Sequence, residues 1–127
     1  MCKLKKGVLP GLVLALGLAV TSAAADETAE FQRQEALALE YRWKIDRTSD
    51  PAAREALYLR LIEECPETEA AERAHWTLSN LYLDDFEDPR EDDARKILER
   101  FVKRYPSSRW LLHVTDRLAW FWGDKRP

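Results

Sequence analysis

Two short segments forty positions apart constrain this chain more than any other feature: Cys65-Pro66-Glu67-Thr68 and Tyr105-Pro106-Ser107-Ser108. Proline has no backbone N–H and disfavours helical geometry in the residue before it, so each segment ends a helix. Thr68 or Ser108 then offers a hydroxyl that caps the next one. The same period runs through the downstream apolar positions. Ala71, Leu78 and Leu81 correspond to Leu111, Leu118 and Phe121, and a step back of forty gives Phe31, Ala38 and Tyr41. Three helices sharing one buried register are the mark of repeated helix pairs.

The helices that run into these stops also have defined starts. Asp50-Pro51 and Asp88-Pro89 each place a capping carboxylate before a proline that suits the first helical turn, and Glu91 completes a capping box with Asp88. Beyond Asp50, the spacing puts Ala53, Leu57, Leu61 and Glu64 on one face, with Ala56 and Ile62 at its edges. Beyond Asp88, Ala94, Ile97, Leu98, Phe101 and Val102 form an apolar stripe at helical spacing. Only 4 Gly and 6 Pro occur, too few for a many-turned β-sandwich. The fold expected is all-α, with about five antiparallel helices between Glu27 and about Trp122.

The Tyr105-Pro106-Ser107-Ser108 motif, with its weaker copy at Cys65 to Thr68, resembles the tetratricopeptide repeats, in particular the bacterial envelope branch. Outer-membrane assembly lipoproteins and periplasmic Tol-Pal-associated proteins are similar to it locally. The resemblance covers about Asp50 to Trp122, and more loosely Glu27 to Asp46 as an unpaired second helix. It implies a short α-solenoid that binds a protein or peptide partner. The period of forty exceeds the usual 34, and the acidic loop Asp84 to Asp88 is the natural place for the additional residues.

The first residues follow a different logic. Lys3, Lys5 and Lys6 precede an uncharged, mostly apolar run from Val8 to Val20, followed by Ser22-Ala23-Ala24-Ala25. Positive, apolar and small-residue regions in that order read as a secretory signal, with Ala23 and Ala25 in the peptidase pocket and cleavage before Asp26. The run is short for a membrane anchor, and Pro10-Gly11 interrupts it. The expectation is a signal peptide over 1–25, a repeat domain over 26–127 and a periplasmic location, with secretion or signal anchoring as alternatives. Removing three lysines and no acid takes the formal charge from -3 to -6, which offers nothing to nucleic acid.

Little in the chain points to catalysis. His75 and His113 lack metal-ligand spacing and are read as partly exposed helix-surface residues. Neither a glycine-rich phosphate loop nor a Gly-x-Ser-x-Gly turn occurs. Cys65, before a proline at a helix end, is read as structural rather than reactive. The acids from Asp84 to Asp93 lack the glycine and alternation of a calcium loop, and instead match the positive end of a helix dipole. Arg95, Lys96, Arg100, Lys103 and Arg104 match its negative end. No enzyme activity, cofactor or metal is expected.

The last helix breaks the pattern. Trp110, Leu111, Val114, Leu118, Phe121 and Trp122 cover one arc, while Leu112 and Trp120 lie off it, where a terminal helix is usually polar. Leu112, Trp120 and Trp122 are therefore candidate contacts for a partner or for a second copy of the chain. A membrane-surface contact has only Lys125 and Arg126 in its favour. A groove along the first helices of each pair adds Tyr58, Arg60, Arg95 and Glu99 as outward-facing candidates. The function expected is a protein-binding adaptor of the cell envelope, or alternatively a self-associating structural protein.

Overall fold

Five α-helices and no strand make up the described residues: α1 Cys2–Asp46, α2 Pro51–Glu64, α3 Glu69–Asp84, α4 Glu91–Arg104 and α5 Leu111–Gly123. The computed structural model describes the backbone of residues 2–123 and the side chains of residues 23–123. Most of the expected signal sequence, including its lysines and apolar run, thus lies outside the described side chains, as do Lys125 and Arg126. Among the described residues no helix is long and apolar enough to cross a membrane.

The chain divides into two compact units, Met1–Arg33 and Gln34–Pro127. The first is a single stretch of α1 whose described side chains, Ala23, Ala25 and Asp26 included, are exposed. Phe31 is 47% exposed, against the expectation of a buried register position. A helix alone offers no second surface on which to bury a ring.

In the second unit the forty-residue register holds from Gln34 onward. Gln34, Ala74 and Val114 are equivalent and buried, as are Ala38, Leu78 and Leu118, and Tyr41, Leu81 and Phe121. Gln34 is tolerated in this apolar company because its Oε1 accepts the Glu67 backbone N–H at 2.9 Å. The closest helix packing joins sequence neighbours: α2 with α3, α3 with α4, and α4 with α5. Accordingly α3, between two partners, buries residues around much of its circumference, from Ala71 and His75 to Ser79 and Tyr82.

The stops and starts follow local chemistry. Asp50 caps α2 by accepting from the Ala53 N–H at 3.0 Å, and Thr68 caps α3 by accepting from Ala71 at 3.1 Å. Cys65 and Tyr105 are the C-caps of α2 and α4. Asp88, by contrast, does not cap α4. The helix starts at Glu91, and Arg90 occupies the N-cap position without a side-chain cap bond. Pro89 keeps Asp88 out of helical geometry, and Arg90 is fixed elsewhere. Its guanidinium makes two bonds to Glu55 at 2.9 and 3.1 Å and one to Asp93 at 2.8 Å, while its N–H donates to the Tyr82 carbonyl at 2.8 Å. Ser108 also departs from its counterpart Thr68. It accepts from the Trp110 N–H at 3.0 Å and donates to Glu72, so α5 begins only at Leu111.

The buried face of α2 is also rotated from the expected one. Tyr58, Leu61 and Ile62 form it, continued by Cys65, whereas Ala53 and Glu64 are exposed. Burying a tyrosine ring removes more apolar surface from water than burying an alanine. Glu64 is held outward by Arg60 at 3.1 Å and by the Tyr41 hydroxyl. The α4 stripe is as expected, with Ala94, Ile97, Leu98 and Phe101 buried and Val102 at the edge.

Candidate functional site

Helix α5 is two-faced. Val114, Leu118 and Phe121, at i, i+4 and i+7, form its buried stripe. On the other side Leu112 is 82% exposed, Trp122 68% and Trp120 42%. Trp120 leans edge-on against the Phe121 ring at 5.0 Å, and the Arg95 guanidinium lies 5.6 Å from the Trp122 ring centre. Large apolar side chains held by such contacts on an exposed helix face form a preorganised contact surface.

Between α3 and α5 a cavity of about 180 Å³ opens, lined by Glu72, Arg73, Trp76, Thr77, Phe101, Trp110, His113 and Val114. A second, shallower depression is formed by Trp76, Leu83, His113, Asp116, Arg117 and Trp120. Trp76 and His113 are common to both, so the trough runs from Trp110 to Trp120. Its dividing wall is well ordered by contacts. The Trp76 and His113 ring centres are 4.2 Å apart, and the Arg117 guanidinium lies 3.9 Å from the Trp76 centre while donating to Asn80. Burial lowers the Arg117 pKa, and the charge of Asp84 works against that. The Trp110 Nε1–H is buried without an acceptor among the described residues.

The sequence candidates separate into two groups. Arg95, Glu99 and Trp122 come together, because Arg95 bonds Glu99 at 2.9 Å and also covers Trp122. Tyr58 does not face outward: it is only 7% exposed and belongs to the core. Arg60 is exposed, but pairs with Glu64 and lies 5.3 Å from the Tyr41 ring centre. The groove expected along the first helices is thus largely committed to internal pairs. Trp76, His113, Arg117 and Trp110, which line the trough, were missed as a group. The forty-residue offset carries their signal, since it sets Arg73 beside His113 and Trp76 beside Asp116.

His75 also differs from the expected surface histidine, being 1% exposed. Its Nδ1 lies 2.8 Å from the Ala71 carbonyl oxygen, which can only accept, so Nδ1 carries the proton and Nε2 is a bare, unpartnered acceptor. The ring is edge-on to Phe101 and Tyr105 at 5.8 and 5.5 Å. Burial in this aromatic setting pushes its pKa down to about 4. Cys65 is fully buried at the end of α2. Among the described residues no group of three or more His, Cys, Asp or Glu is placed to hold a metal ion. The arrangement is suited to holding apolar and aromatic groups. No protein-family model, curated protein or solved structure matches the chain.

Proposed function

We propose that this chain is an exported, non-enzymatic docking module of the tetratricopeptide-like kind, a short antiparallel α-solenoid over residues 26–127 that works in the periplasm after removal of a signal peptide. The observation that carries the reading is the α5 surface. Leu112, Trp120 and Trp122 present large exposed side chains beside a trough with aromatic walls. Rigid aromatic side chains give much contact area for little lost rotamer entropy, and truncating such anchors typically costs a complex ~10-fold or more in Kd. The partner is a protein or peptide that presents an apolar segment.

The test is affinity capture from a cell-envelope extract by the chain beginning at Asp26, compared with a Leu112→Ala, Trp120→Ala, Trp122→Ala variant. A partner retained by the first and lost by the second supports docking. Equal retention by both, or none by either, refutes it. The intact mass of the exported protein tests the signal, which requires Asp26 at the amino terminus. Self-association is the second reading, favoured by Leu39 and Trp43, which are also exposed on α1. It predicts a dimer in sedimentation that the triple variant dissociates.

A further inference from the structure

We propose that the cavity between α3 and α5 is an anchor pocket for one aromatic side chain of an extended peptide, with the peptide's adjoining carbonyl oxygen accepting from the Trp110 indole N–H. This rests on the docking reading and names the chemistry that the partner must present. Four observations lead to it.

The volume is right for one ring: about 180 Å³ here, where a dry engineered cavity of roughly 150 Å³ takes up benzene. The walls are rings as well. Trp76, Trp110, Phe101 and His113 line the cavity, and aromatic pairs favour the offset and edge-on geometries that such walls provide. The Arg117 and His113 contacts already fix Trp76, so little ordering is needed on binding.

The remaining two observations concern polarity. Trp110 Nε1–H is a buried donor lacking an acceptor, and an occupant of the cavity that Trp110 lines can supply one. The formal charges in the lining balance. Glu72 accepts the Ser108 hydroxyl, and Arg73 makes no ion pair among the described residues. A lining with one charge of each sign is complementary to a neutral ring beside a peptide carbonyl, rather than to a phosphate or a polyacid.

The test uses the indole N–H resonances of the protein, with Trp110→Phe identifying that of Trp110. N-acetyl-phenylalanine amide is expected to shift the Trp110 signal saturably, and N-acetyl-leucine amide to bind several-fold more weakly. Thr77 is exposed at the cavity edge, so Thr77→Trp fills the pocket without entering the core and is expected to weaken the probe ~10-fold or more at unchanged melting temperature. Trp110→Phe keeps a ring but loses the donor, and weakens the probe several-fold as read from the remaining indoles. A Trp110 signal unmoved at the probe's solubility limit overturns the proposal, as does equal binding of the leucine probe or of Thr77→Trp. If Thr77→Trp loses the probe yet captures a partner as well as the wild type, docking stands and the anchor role falls. If the pocket takes the probe while no form of the chain captures a partner, the site stands and the docking reading falls.

Discussion

The Tyr105 hydroxyl donates to the Pro66 carbonyl oxygen at 2.9 Å, so the stop of α4 is tied to the stop of α2. The bond joins the two proline turns that set the period of the chain. Nearby, Arg109 pairs with Glu69, again forty residues apart. Burial raises the Tyr105 pKa, which keeps the hydroxyl protonated as a donor through neutral pH. Tyr105→Phe removes only this bond and leaves a half-buried acceptor. A loss of about 1 kcal/mol is expected in urea unfolding, with no change in helix content.

The two Asp-Pro starts should respond differently to the same change. Asp50→Ala removes a cap acceptor and is expected to cost about 1 kcal/mol. Asp88→Ala removes no cap, because Arg90 holds the N-cap position of α4, and should be neutral within about 0.5 kcal/mol. Equal losses in denaturant melts would show that Asp88 caps α4 in solution.

Glu55 accepts two bonds from Arg90 and one from the Tyr82 hydroxyl at 2.7 Å, in a partly buried setting. The hydrogen bond with Glu55 holds the Arg90 guanidinium above its usual pKa, while burial raises that of Tyr82. Glu55→Gln is expected to destabilise by about 1–3 kcal/mol, as for the loss of a partly buried charged acceptor. Glu63→Gln, which loses only an exposed contact to Arg100 at 3.9 Å, should change stability by less than about 0.5 kcal/mol. Chemical denaturation of both variants checks the contrast.

His75 makes stability depend on pH. Its folded pKa of about 4 lies below the value near 6.5 of an unfolded chain. As pH falls through 6.5 the unfolded state therefore binds the proton first, and stability present above that value drains away until pH 4. The loss from this residue is about 2 kcal/mol at pH 5 and roughly 3 kcal/mol by pH 4. His75→Phe retains a ring and should be close to wild type at pH 7 but more stable than it at pH 5. Parallel urea melts at the two values test this, and an identical pH slope for both proteins would refute it.

Much of the fold was legible because helix stops and apolar spacing are local properties. The Pro66 and Pro106 stops, the Asp50 and Thr68 caps and the α4 stripe all depend on residues within a few positions of one another. What was not legible depends on partners far along the chain. Arg90 leaves Asp88 without a cap role because Glu55, thirty-five residues earlier, holds it. Tyr58 turned inward because the core had room for a ring rather than for Ala53. His75 reads as a surface residue until α4 brings Phe101 against it. The exposed α5 face was foreseen from helix phase alone, whereas the trough beside it needed α3 and α5 to be laid side by side.

The packing of helices on their sequence neighbours bears on how the chain reaches its native state. Each interface from α2 to α5 closes a loop of only a few residues, so little chain entropy is spent before contacts form. Chains of such low contact order reach the folded state in microseconds to milliseconds. Unfolding should be graded in the same way. Helix α3, held on two sides, will protect its amide hydrogens longest against exchange with solvent, and α5, whose closest packing is with α4, will open first. The surface that carries the exposed tryptophans is therefore built on the most readily opened helix of the repeat.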